Sequence, residues 1–160
     1  MFEQIASGLT RIAGPALLDH IRTTHAKATL VNAWASWCGS CKHELPMLQK
    51  VARELGPQGL QLLLVSVDDP EQEQAAAQQL RDLGFAQLGF VAAQPLESFK
   101  MAMHPGWPGM IPATFLFDAE GKLRYFWGGE AFESELRPVV ERFLRGERVD
   151  GEAKFKVAPE

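Results

Sequence analysis

The stretch Trp34-Ala35-Ser36-Trp37-Cys38-Gly39-Ser40-Cys41-Lys42-His43-Glu44-Leu45-Pro46 decides how this chain is read. Before it, Ala28-Thr29-Leu30-Val31-Asn32-Ala33 is a short apolar run with β-branched residues, the pattern of a buried strand. After it, Leu45, Leu48, Val51 and Leu55 recur at three- and four-residue spacing, the pattern of an amphipathic helix. Cys38 and Cys41 therefore sit where a strand turns into a helix. Residues three apart on a helix are neighbours, so the two sulfurs can bond without large backbone movement. The free amide hydrogens and the dipole of the first turn favour thiolate over thiol at Cys38. Cysteines in such places have pKa values of roughly 3.5 to 7.5, against about 8.5 for a free thiol. Cys38 is thus expected as the exposed nucleophile, and Cys41, one turn inward, as the thiol that resolves a mixed disulfide.

The sequence contains two cysteines, both in this motif, so no third is available for a structural bridge. A zinc site needs further ligands at suitable spacing. His43 is adjacent, but His20, His25 and His104 complete no recognisable pattern. The pair is read as redox-active.

Outward from the motif, 160 residues fit one domain with a real core, and the composition is that of an ordinary globular protein. A net charge of −4 provides no basic footprint for nucleic acid. No apolar run approaches the ~20 residues of a membrane helix. Residues 1–7 lack a basic region and an apolar core, so the expectation is either a cytoplasmic protein or one whose leader has been removed.

The spacing predicts an edge strand within 2–12, a helix over 15–25 and a strand over 28–34, with Gly56-Pro57-Gln58-Gly59 closing the helix after the cysteines. Residues 60–67 read as a central parallel strand, with Asp68-Asp69-Pro70 offering a cap to a helix over 71–83. A short strand near Phe90-Val91, a helix over 95–103, strands over 113–118 and 122–127, and a helix over 132–144 with a kink at Pro138 complete the pattern. The polar tail 146–160 is expected to be loose. This alternation argues for an α/β domain with right-handed crossovers.

The stretches 31–38 and 41–46 resemble the thioredoxin superfamily, and more narrowly its TlpA/ResA-like thiol-disulfide oxidoreductases. Pro46 matches the proline that kinks the active-site helix in that superfamily. Gly109-Met110-Ile111-Pro112-Ala113-Thr114-Phe115-Leu116-Phe117-Asp118 resembles its cis-proline loop and the strand that follows. The resemblance covers about residues 15–145. It implies one thioredoxin-like domain over 1–160, with a central mixed β-sheet flanked by helices on both faces.

The resemblance also implies site roles. Glu44 matches a glutamate of the ResA-like branch that can exchange a proton with Cys41. Asn32, six before Cys38, stands where thioredoxin carries a buried aspartate, and Leu64 where it carries the partner lysine. An amide cannot take and return a proton, so a relay must use Glu44 or water. The Ile111–Pro112 bond is expected to be cis, with the Ile111 backbone pairing with a substrate segment as an added strand. Trp34 is expected in the core and Trp37 on the surface beside Cys38, where it would meet an apolar substrate. Trp107 would shape the groove or anchor its loop.

Met101, Met103, His104 and Met110 precede Pro112, and soft sulfur with imidazole suits Cu(I). We read them instead as core methionines with a surface histidine. The expected activity is thiol-disulfide exchange with protein substrates, without metal or cofactor beyond the cysteine pair. The alternatives are a dedicated reductase in cytochrome c maturation or a copper-handling protein. Expected partners are protein disulfides or dithiols and an upstream electron donor, with the chain itself a monomer. A peroxiredoxin is disfavoured, because no Pro-x-x-x-Thr-x-x-Cys motif occurs.

Overall fold

The computed structural model describes residues 2–153, with side chains for 4–151. The architecture is built on β3, Ala28–Trp34, every residue of which is buried. On one side it pairs in parallel with β4, Leu60–Ser66, along its whole length. On the other it pairs antiparallel with β6, Ala113–Asp118. Around these lie β1 (Phe2–Gln4), β2 (Thr10–Ile12), β5 (Phe90–Ala92), β7 (Leu123–Gly128) and β8 (Gly151–Ala153). The sheet is mixed, in the order β1-β2-β5-β4-β3-β6-β7-β8.

Alternation along β3 divides the core into two layers. Leu30, Asn32 and Trp34 face one way, where Leu30 and Trp34 pack with Leu45, Leu48 and Leu136. Those leucines belong to α2 (Gly39–Leu55) and α5 (Glu133–Leu144), and α3 (Glu73–Asp82) adds Ala77 and Leu80 to the same layer. Val31 and Ala33 face the opposite layer, with Leu17 and Ile21 of α1 (Gly14–Thr23) and Phe99 and Met103 of α4 (Leu96–Met103). Gly14 lets α1 and α4 meet closely, since a Cβ there would lie 2.5 Å from that of Ala102. Helices thus cover both faces of a mixed α/β sheet, as expected.

Three segments differ from the sequence-based expectation. Residues 2–12 form two short antiparallel strands, β1 and β2, rather than one. Gly8, at φ +97°, permits the reversal between them. Asp69, not Asp68, precedes the turn at Pro70–Gln72, and it makes no side-chain cap bond. The polar segment after Gly146 is not loose throughout. Val149 is 4% exposed, within the core layer of α5, and Gly151–Ala153 add in parallel to β7 as β8. One apolar side chain and the ion pair of Asp150 with Arg124 (3.2 Å) anchor a stretch whose composition reads as solvent-exposed. Residues 154–160 of the expected tail lie outside the described residues.

Val149→Asp should therefore destabilise the fold by about 2–3 kcal/mol, from lost valine burial plus desolvation of a charge. Urea unfolding measures this; an unchanged midpoint would mean that the segment contributes nothing.

Candidate active site

The site forms where β3 ends. The carbonyl of Trp34 accepts a bond from Val67 N–H (2.8 Å), so β3 and the chain beyond β4 stay aligned past the last residues of the sheet. Asp68 then reaches across. It is 2% exposed, and its carboxylate accepts bonds from the Ser36 amide (3.1 and 3.0 Å), the Ser36 hydroxyl (2.6 Å) and the Ser66 hydroxyl (2.6 Å). Gln79 Nε2 donates to the Ser36 carbonyl at 3.1 Å. These bonds fix the turn that carries Trp37 and Cys38. The sequence reading took Asp68 only as part of the Asp68-Asp69-Pro70 stretch offering a helix cap. Only the parallel register of β3 and β4 brings it beside Ser36.

Cys38 is the N-cap of α2, and its Sγ accepts the Cys41 amide at 3.2 Å. The two cysteines are joined in a disulfide, with Cα atoms 5.3 Å apart. Cys38 is 8% exposed and Cys41 0%, so Cys38 is the reachable sulfur but is less exposed than expected. Its side chain folds over the first turn of the helix, while Gly39 and Ser40 beside it are exposed. Trp37 projects outward at 61% exposure, and Trp34 is buried.

Glu44 lies one turn beyond Cys41, on the helix face against the sheet, and is 2% exposed. Its Oε1 accepts Asn32 Nδ2 at 2.6 Å and the Thr114 hydroxyl at 3.4 Å, and its Oε2 accepts the Ala131 amide at 2.6 Å. Burial drives its pKa up from 4.5 to about 7, against the opposing pull of the bonds from Ala131, Thr114 and Asn32. Glu130, the residue before Ala131, adds a smaller upward push. Its carboxylate lies 2.9 Å from Nδ1 of the exposed His43.

The Ile111–Pro112 bond is cis and Pro112 is buried. Ala113, which follows, pairs with Ala33, so this loop lies at the same end of the sheet as Cys38. Trp107 is 3% exposed, packs edge-on against Phe99 and Phe115, and donates Nε1–H to the Met110 carbonyl at 2.8 Å. It anchors the loop rather than lining an open groove. Met101 is 56% exposed whereas Met103 is buried in the core, so α4 sends them to different surroundings. His104 Nδ1 accepts the Gly106 amide. Among the described residues, no three His, Cys, Asp or Glu side chains gather as a metal site.

The AhpC/TSA family model matches residues 17–126, more than half of the chain. The chain belongs to the AhpC/TSA family. Within the thioredoxin superfamily it is TlpA/ResA-like, as its relatives indicate. It is 27% identical over 135 residues to the thiol:disulfide interchange protein DsbE of Escherichia coli K12, covering 76% of this chain and 63% of that one. It is 24% identical over 116 residues to the thiol-disulfide oxidoreductase ResA of Geobacillus thermodenitrificans, covering 72% and 62%. The chain thus spans less than two thirds of either relative. The fold matches the crystal structure of a thioredoxin-family thiol:disulfide interchange protein from Chlorobium tepidum, with TM-score 0.64 and 22% identity, covering 81% of this chain and 83% of that one.

Two outcomes follow from this geometry. Between pH 4.5 and about 7 the unfolded chain has released the Glu44 proton while the native chain holds it. Stability therefore falls as pH rises through that window, by roughly 3 kcal/mol, and stays lower above it. Glu44→Gln should remove this slope in denaturant unfolding followed against pH; parallel curves for the two proteins would contradict it. Asp68→Ala should strip the Ser36 amide of its acceptor, costing about 1–3 kcal/mol. It should also speed hydrogen exchange at that amide, which unchanged protection there would contradict.

Proposed function

We propose that this chain is a protein-disulfide oxidoreductase working as a single thioredoxin-like domain. The observation that carries the reading is the bonded Cys38–Cys41 pair at the start of α2, with a buried carboxyl one turn further on. In the reducing direction, the Cys38 thiolate attacks one sulfur of a substrate disulfide. The S–S bond breaks, the other substrate sulfur leaves as thiolate, and the attacked sulfur is held by Cys38 in a mixed disulfide. Cys41 gives its proton to ionised Glu44 and attacks Cys38 Sγ, releasing the second substrate thiolate. The enzyme is left with the Cys38–Cys41 disulfide and needs two electrons from an upstream dithiol donor.

Trp37 offers an apolar surface beside the reacting sulfur. The loop of Ile111 and Pro112 supplies a backbone edge for an extended substrate segment. No metal or organic cofactor enters these steps. Similarity to DsbE and ResA proteins supports an extracytoplasmic location; among the described residues no helix is long and apolar enough to cross a membrane. We take the protein to act as a monomer. Glu44, which matches the ResA-like branch, and Asn32, which departs from thioredoxin, favour a narrower reading: a dedicated reductase in cytochrome c maturation. Faster reduction of an oxidised Cys-x-x-Cys-His peptide than of insulin would select it.

The test of the general reading is a pair of variants. Cys38→Ser should abolish insulin reduction, and Cys41→Ser should accumulate a mixed disulfide visible by mass spectrometry. Reduction retained by Cys38→Ser, or no adduct on Cys41→Ser, would overturn the assigned roles.

A further inference from the structure

Asn32 is fully buried on β3, and the two ends of its amide are unequally used. Nδ2 donates to Glu44 Oε1 at 2.6 Å and to Thr114 Oγ1 at 3.1 Å. Oδ1, equally buried, accepts no hydrogen bond among the described residues. A buried oxygen without a donor costs free energy, so this orientation is held by what Nδ2 gains.

That gain depends on the charge of Glu44. Toward an ionised carboxylate, Nδ2 makes a charge-assisted bond. Toward the acid, the arrangement is poor. Oε2 is committed to the Ala131 amide at 2.6 Å, a backbone donor that cannot turn round, so the proton belongs on Oε1. An O–H at Oε1 needs an acceptor. Thr114 Oγ1, at 3.4 Å, is beyond good O–H···O length. The other oxygen within reach is Oδ1 of Asn32 itself, once the amide turns end over end. The turn exchanges nitrogen for oxygen with almost no change in shape. The Thr114 hydroxyl, able to donate or accept, can follow either arrangement.

We propose that the Asn32 amide turns with the proton at Glu44, presenting nitrogen to the ionised carboxylate and oxygen to the acid. Asn32 is then a positioning residue. It gives a carboxyl buried among α2, β3 and β6 a partner in both protonation states, so a proton can arrive and leave without the side chain moving. The groups facing Glu44 from β3 and β6, Asn32 and Thr114, are neutral. From the loop before α5 comes Glu130, shared with His43 of α2, and Cys41 of α2 is held in the disulfide. The inference rests on the oxidised protein and goes beyond the exchange reaction, so failure of the redox reading would leave it standing.

Neutron diffraction from crystals of the oxidised, deuterium-exchanged protein tests it directly, at about pH 5 and about pH 9, either side of the Glu44 midpoint near 7. The expected result is the –ND2 group facing Glu44 at the higher pH. At the lower pH, a deuteron on Oε1 and the amide oxygen facing it are expected. One amide orientation at both pH values would overturn the proposal. A solution measurement adds a second arm. Asn32→Leu keeps the volume and removes both ends of the amide, so the ionised form of Glu44 loses the stronger bond. The 13C-detected carboxyl midpoint of Glu44 should rise by about one to two units. An unmoved midpoint would mean that Asn32 merely fills space.

Discussion

The pairing of β3 on both edges and its burial on both faces constrain everything else in this molecule. β4 and β6 fix its position in the sheet, and two helical layers close over its side chains. Because nothing about β3 can shift, the point at which it stops is also fixed. The chain leaves it at Trp34, and within four residues it has become the N-cap of a helix. The orphan amides of that first turn converge on Cys38 as a consequence of where the strand ends. The position of the pair is inherited from the position of the strand.

Asp68 and Glu44 are two buried carboxyls placed by the same strand pairing, and their surroundings differ. Asp68 accepts from two hydroxyls and an amide, so its carboxylate oxygens are tied to both Ser36 and Ser66. It behaves as a clamp on the turn before Cys38. Glu44 also receives three donors, yet burial outweighs them and its affinity for a proton rises to the neutral range. A carboxyl that titrates near neutrality costs stability at higher pH. Its position on α2, three residues after Cys41, puts that proton one turn from the inner sulfur.

The Asn32 amide belongs to the same account. Where a carboxylate would put a second charge beside Glu44, the amide puts a neutral group with a donor at one end and an acceptor at the other. The cluster of Asn32, Glu44 and Thr114 therefore holds one carboxyl instead of a pair, with Glu130 of the adjoining loop adding a smaller push.

The local pattern was enough to mark most of the elements and the candidate cysteine pair. Unbroken apolar runs marked β3 and β4, a strand pair about a short turn marked β6, and three- and four-residue spacing marked α2, while Cys-x-x-Cys at a strand-to-helix junction marked the candidate pair, because those signals arise from neighbours in the chain. The resemblance of short motifs added Glu44 and Pro112. Tertiary structure alone decided the rest. Val149 and β8 were hidden in a polar segment because one apolar anchor and an open strand edge carry no periodic signal. Asp68 read only as part of a capping stretch, and parallel pairing set it beside Ser36, more than thirty residues away in sequence. Asn32, Glu44, Thr114 and Ala131 come from β3, α2, β6 and a loop, and their hydrogen bonds exist only once the sheet register and the seat of the helix are set. Side-chain chemistry is written in the sequence, but how strongly a carboxyl holds its proton depends on the water that folding removes.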